Sequence, residues 1–505
     1  MKVATQKSYR LMHTWVGLIC GSLLFIAFYA GALTVFTHEL GHWLHEVSNE
    51  GAAKSEAMAG ENTALSALQQ RIDALLKAEP EASHGFSVVL PGHSGPDGQI
   101  LWYQQSSGTQ QIVTQDLDGR LQLSPARQDL VSFIYDLHFT AGLPRTAGTY
   151  LFGIVCVLYG LALVSGVLIY LPVLARDILA MRWLQGNKTR WLDLHNLLGI
   201  TSLPFHIMFA WSGAILTIGF ILLAPFQFMV FDGKLLDKLE PDFEILPHVE
   251  PAGEVRPLVA LDQLYVKAQQ VLPGLQIESA YYHDAGDLNG NVTFYGYYQQ
   301  SAESKTLTQN AAVVLSTADS RTLAQLTPEQ FRPGTTFLRG LQSLHYGNFS
   351  GDTGKWLYFI LGVSGALLFY SGNWLWLRRQ LAEKVNWQTR LMNALTNGVC
   401  LGTVSAVSLL ISMAPILPAH WNHPIFCLSL FIASLWAMMR PARQSRTELL
   451  LICAFCTMLI PLLQWLGAVA TSPGMTAAAM NLIALVFSAL FIISARFSKL
   501  NTKRC

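Results

Sequence analysis

Four histidines stand in duplicate register in this chain, and imidazole in an apolar setting demands a chemical explanation. Residues 10–36 (RLMHTWVGLICGSLLFIAFYAGALTVF) and 191–220 (WLDLHNLLGITSLPFHIMFAWSGAILTIGF) repeat each other, with His13 and Gly17 matching His195 and Gly199. Eighteen residues on from each histidine comes a glycine, Gly31 and Gly213. In a second pair, Gly148-Thr149-Tyr150-Leu151-Phe152 leads on to Ser165-Gly166, and Gly354-Lys355-Trp356-Leu357-Tyr358 to Ser371-Gly372. First glycine to last is eighteen residues in both; His138 lies ten residues before the first copy and His345 nine before the second. Ionisable groups inside apolar segments are costly and mark sites, and neutral imidazole is a common axial ligand of haem iron. The duplication therefore predicts a cofactor gripped between two copies, His13 and His195 towards one membrane face, His138 and His345 towards the other.

Other histidines are less constrained. His206 follows His195 by eleven residues, about 16 Å along a helix, which puts it near mid-membrane. The first copy has Leu24 there, so His206 is read as a ligand replacing one of the four or as an internal proton or hydrogen-bond group. His38, His42 and His45 fall at i, i+4 and i+7 beside Glu39 and Glu46. That is either an iron or zinc site at the outer mouth, with His38 its best member, or an interfacial polar stripe. His84, His93, His248 and His283 read as surface residues, and His420 and His423 as residues of a short outer loop. Cys453-x-x-Cys456 lies in an apolar run and reads as small core residues. Without a C-x-x-C-H motif, haem would be bound without a thioether link, as haem b, two in number. Without a G-x-G-x-x-G opening a soluble βαβ unit, electrons would come from a separate donor, a cytoplasmic reductase or membrane quinol.

The elements that must hold these residues are membrane helices. The 505 residues are 51% apolar and 13% charged, with mean hydropathy +0.34, against roughly 25% charge in soluble domains. Net charge is +1, which gives no reason to expect nucleic acid. A span needs roughly 20 apolar residues, and eight segments qualify: 12–37, 148–171, 196–225, 355–377, 392–415, 423–439, 448–470 and 476–495. The first is too long for a cleaved signal peptide and offers no small-residue cleavage site at 36–39. Eighteen of the 33 Lys and Arg, among them Arg10, Arg176, Arg182, Arg378, Lys384, Arg446, Lys503 and Arg504, fall in short loops or tails of one face. The short loops 416–422 and 471–475 on the other face have none. This bias places both termini in the cytoplasm and two large insertions outside. The layout is span 1 at 1–37, an outer domain at 38–147, spans 2 and 3 at 148–225, an outer domain at 226–354, span 4 at 355–377 and a four-span bundle at 378–505.

Each insertion is predicted to be a small α+β unit. The first has a helix at 65–78, strands at 85–90, 99–104 and 110–114, and a turn at 116–120. The second has a helix at 261–271 and strands at 276–282, 291–298 and 311–315.

These features resemble a known family. Arg10-x-x-His13-x-Trp15-x-Gly17 is similar to the opening motif of the PepSY-associated transmembrane helix proteins, and the outer domains, with Leu272-Pro273-Gly274 closing a helix, resemble PepSY modules. Leu137-His138, Ser165-Gly166 and Ser371-Gly372 fit the same pattern, over about 1–380. The family includes inner-membrane ferric-siderophore reductases. The resemblance implies two b-type haems in a duplicated four-helix core, ligands among His13, His138, His195 and His345 with His206 possible, and electrons passed outward to a ferric siderophore or other Fe(III) complex. Leu197 stands where the motif would have tryptophan in the second copy, and the last four spans lie beyond the core. Two other functions stay open: a permease using these histidines as proton relays, and a non-enzymatic binding or regulatory protein.

Overall fold

The computed structural model describes residues 3–49, 61–91, 98–106, 108–116, 120–125, 129–174, 181–182, 187–243, 249–298, 307–383, 385–466 and 475–500. The turn at 117–119, Arg176, Lys384, the loop 471–474, Lys503 and Arg504 lie outside the described residues. Among the described residues, eight helices are long and apolar enough to cross a membrane, one for each expected segment, and the chain is an α-helical membrane protein. It divides into a helical unit (Met1–Glu50, Gln128–Leu223, His345–Cys505) and an α+β unit (Gly51–Arg127, Ala224–Leu344).

In the helical unit, α1 (Val3–Thr34) and α2 (Thr37–Asn49) precede the first insertion. After it come α4 (Leu130–Thr140) and α5 (Arg145–Tyr170); α3 belongs to the other unit. Next come α6 (Asn187–Thr201) and the third span, α7 (Leu203–Met229). They break at Ser202 because Pro204, in the first turn of α7, has no N–H to give to the end of α6. Next come α11 (Gly351–Glu383), α12 (Trp387–Met413, with a π-helical turn at Ala394–Val399), α13 (Asn422–Met439), α14 (Ala442–Trp465) and α15 (Met475–Leu500). Outward-facing rows such as Ile154, Val157, Leu161 and Val164 remain exposed, as lipid contact requires.

Sequence periodicity missed two short helices, α4 and α10 (Pro333–Tyr346). They carry His138 and His345. α4 is capped by Asp129, whose side chain accepts from Ser132 N at 2.7 Å, and closed by left-handed Ala141 and Gly142. A Cβ on Gly148 would lie 2.7 Å from the Cα of Thr140, so only glycine lets α5 turn back so tightly over α4.

The two insertions do not form two separate sheets, as expected from sequence. The α+β unit holds α3 (Glu61–Ala78), α8 (Leu235–Phe243), α9 (Leu261–Val271) and one eight-stranded antiparallel sheet. The first insertion gives β1 (Gly85–Val89), β2 (Gln99–Gln104), β3 (Thr109–Gln115) and β4 (Leu121–Pro125). The second gives β5 (Leu275–His283), β6 (Asn291–Tyr298), β7 (Asn310–Ser316) and β8 (Thr322–Leu326). The order β4-β3-β2-β1-β5-β6-β7-β8 joins two meanders where β1 pairs β5. An unpaired edge seeks a partner, and each half supplies the other's. Phe86 stacks on Tyr282 across this seam at 4.7 Å, and both are buried. Leu65, Leu68, Ile72 and Leu75 of α3, at helical spacing, join Leu261, Leu264 and Ala268 of α9 over the same sheet face. The edge strands β4 and β8 went unread because they are short and have no fully buried residue to mark an inner face.

Phe86→Ala is expected to lower the stability of the α+β unit by about 3–5 kcal/mol, read as faster amide exchange in both halves of the sheet. Faster exchange confined to β1–β4 would show that the halves fold independently.

Candidate functional site

The four duplicated histidines come together as two facing pairs, each member from a different copy. The rings of His13 and His195 have centroids 6.1 Å apart. Those of His138 and His345 are 5.8 Å apart, with Nε2 atoms 3.5 Å from one another.

One local device anchors three of these rings. His13 donates Nδ1–H to the carbonyl of Ala162 on α5 at 2.9 Å. His195 donates to Leu368 O on α11 at 3.1 Å. His138 donates to Ala27 O on α1 at 2.7 Å. Four residues beyond each carbonyl is a glycine, Gly166, Gly372 or Gly31, and a Cβ there would lie 2.9, 3.1 or 2.7 Å from the Cε1 of the respective ring. The ring thus lies on bare backbone one turn above the carbonyl that holds it. This explains the Ser-Gly signature too. Ser371 Oγ donates to Leu368 O at 2.8 Å and lies 3.1 Å from His195 Nδ1, while Ser165 donates to Ala162 O at 3.0 Å.

His345 departs from the pattern. Its Nδ1–H donates to Ser212 Oγ on α7 at 2.7 Å, and that hydroxyl donates to Met208 O at 2.7 Å. The first copy has Ala30 opposite Ser212, with no hydroxyl, so His138 uses the backbone carbonyl instead. All four histidines therefore commit Nδ1 as donor and leave Nε2 as the acceptor nitrogen. Fixing one imidazole nitrogen so that the other faces a metal is the usual outer-shell arrangement of ligating histidine. Metal–imidazole bonds are about 2 Å long, so the Nε2 atoms of His138 and His345, 3.5 Å apart, are placed to hold one metal ion between them. His13 and Ala27, which mark the two levels on α1, are fourteen residues apart, roughly 21 Å of helix.

His206 belongs to neither pair. It is fully buried and both nitrogens are engaged: Tyr159 O–H donates to Nδ1 at 2.6 Å, and Nε2–H donates to Ser202 Oγ at 3.0 Å. Phe28, Phe205 and Phe369 surround it, with ring centroids 5.6, 6.2 and 6.4 Å away. Phe209, 5.7 Å from Phe28, packs on His345 at 4.8 Å. An aromatic cluster thus fills the space between the levels.

His38, His42 and His45 lie on α2, where His38 is exposed; the side chains of the other two lie outside the described residues. Beside them, Glu39 receives Lys355 Nζ at 2.6 Å. Burial raises the Glu39 carboxyl pKa, but Lys355, a backbone N–H and His38 together more than offset it and the net shift is downward. Among the described residues no three His, Cys, Asp or Glu are arranged to hold a metal ion. Near the other level, buried Asp193 of α6 is gripped by Arg182, whose N and Nε donate to Oδ2 at 2.9 and 3.0 Å. Arg182 holds the Asp193 carboxyl below its ordinary range.

Of the glycines picked out by sequence, Gly31, Gly166 and Gly372 sit under histidine rings, while Gly17 has nothing within 4 Å of a would-be Cβ. Position in the repeat alone did not separate them. Tyr159, Ser202 and Ser212 were missed because a hydroxyl in a membrane helix usually bonds its own backbone.

The family model for the PepSY-associated TM region matches residues 10–379. The chain is also 27% identical over 317 residues to the uncharacterized protein PA4219 of Pseudomonas aeruginosa, covering 59% of this chain and 77% of that one.

Tyr159→Phe is expected to cost about 1–3 kcal/mol by leaving a buried imidazole nitrogen unsatisfied, measured as thermal unfolding in detergent. Tyr150→Phe, at a half-exposed position, serves as the unaffected control.

Proposed function

The chain belongs to the PepSY-associated TM family, and from that premise we propose that it is an inner-membrane di-haem b-type reductase that passes electrons outward to periplasmic Fe(III), bound to a siderophore or a similar complex. The observation that carries this reading is the pair of facing imidazoles at each of two levels, every one anchored through Nδ1. Two protein ligands per level suit a macrocycle that brings its own four nitrogens. His13 with His195 would hold one haem and His138 with His345 the other, while His206, with both nitrogens occupied, is a polar hub between them. Bound haem supplies one-electron transfer.

The chain's own residues do the rest. Ala162, Leu368 and Ala27 carbonyls and the Ser212 hydroxyl fix the ring orientations and raise imidazole basicity. The cluster of Phe28, Phe205, Phe209 and Phe369 excludes water between the levels and keeps the local dielectric low. The distribution of Lys and Arg favours both termini in the cytoplasm, with the His138–His345 level on the periplasmic side and the α+β unit in the periplasm, available to bind the iron complex. Siderophore oxygens hold hard Fe(III) better than Fe(II), so reduction frees the metal. The donor is a separate cytoplasmic reductase or membrane quinol.

The purified protein is expected to show a Soret band that shifts on reduction with dithionite and returns to its oxidised position when a ferric hydroxamate is added. His13→Ala and His345→Ala should each retain one of the two haems, whereas His206→Asn should retain both. A colourless folded protein would sink the haem reading, and full occupancy in the first two variants would sink the ligand assignment.

A further inference from the structure

The last four spans lie beyond residue 379, where the family match ends, yet one of them sends a cation back to the His13–His195 level. The guanidinium of Arg446, on α14, lies 4.7 Å from the ring of Trp191 and 4.7 Å from that of Trp374, with Tyr370 at 5.9 Å. Trp191 is four residues before His195, one turn along α6. Trp374 is two residues beyond Gly372, the glycine under the His195 ring. Arg446 is therefore caged by the two helices that hold and orient His195.

The cage is fastened from the other side. Tyr370 donates to Asn397 Oδ1 at 2.7 Å on the π-helical turn of α12, and Asn397 donates to Asn393 Oδ1 at 2.7 Å and to Ala442 O at 3.1 Å. π-turns within α-helices often mark functional positions. In the cage itself the buried Nε of Arg446 and Nε1 of Trp374 have no hydrogen-bond partner. Trp374 is 2% exposed. Both unmatched atoms are donors. Cation–π stacking offsets only part of the cost of removing a guanidinium from water, and an oxyanion would satisfy cation and donors together.

We propose that this cage binds a carboxylate of the haem held by His13 and His195, so that the C-terminal bundle completes the inner cofactor site and sets its potential. The proposal rests on the di-haem reading, which itself brings buried carboxylates into the core. The charge of Arg446 stabilises the carboxylate and disfavours ferric iron's extra positive charge, so removing it should lower that haem's potential.

The test is a spectroscopic redox titration of the full-length protein in detergent, with haem content and bound phospholipid assayed on the same samples. Arg446→Gln is expected to lower the midpoint potential of one haem, or to release that haem, leaving the other unmoved. Arg446→Lys should largely restore the wild-type behaviour. Arg440→Gln, which removes a guanidinium stacked on Trp436 at the end of α13, should change neither. Two unmoved potentials in Arg446→Gln would overturn the proposal, as would Arg446→Lys behaving like the glutamine variant. Loss of bound phospholipid with both potentials unmoved would assign the cage to a lipid phosphate instead. Absence of haem from the wild-type protein would refute the di-haem reading and not the anion site, which phospholipid loss in Arg446→Gln would then report.

Discussion

The organisation of the helical unit depends on how a histidine can be held inside a membrane. An imidazole there must satisfy one N–H and present one lone pair, with no water to help. Donation from Nδ1 to a neighbouring helix's carbonyl settles the first requirement, and a glycine one turn on gives the ring room to lie flat against that helix. Ala162 with Gly166, Leu368 with Gly372 and Ala27 with Gly31 repeat this arrangement. Ring direction is thereby set by backbone, which does not change rotamer.

Duplication turns that local device into a paired one. Each histidine is anchored within its own copy and faces a histidine of the other, so neither copy alone would form a two-imidazole level. The one irregular anchor, Ser212, keeps the same donor role for Nδ1 of His345 by relaying through Met208 O. His206 shows the opposite case: with Tyr159 and Ser202 occupying both nitrogens, it is chemically closed and belongs to the packing between the levels. The α+β unit obeys a comparable logic, since two four-stranded meanders each cover an edge of the other at the β1–β5 seam.

Much of the framework could be read from composition and periodicity. All eight spans, the strands with clear alternation such as β2 and β6, and α9 at 261–271 follow from local apolar pattern, because burial in lipid or under a helix imposes a period on the residues themselves. The register of His13 with His195, and of His138 with His345, was also legible, as a repeat needs no coordinates. Two helices that position His138 and His345 were not, because α4 and α10 are short and their buried faces are defined by contacts distant in sequence.

Residue types alone determined that this chain crosses a membrane and carries imidazoles twice at matching places. Only tertiary structure decided which imidazole faces which, that His206 is spoken for, that two outer insertions form one sheet, and that Arg446 reaches back to Trp191 and Trp374. The physical reason is the same throughout: hydrogen-bond partners and ring neighbours lie on separate helices or strands, 255 residues apart for Arg446 and Trp191, and no local pattern encodes a contact whose other half is elsewhere in the chain.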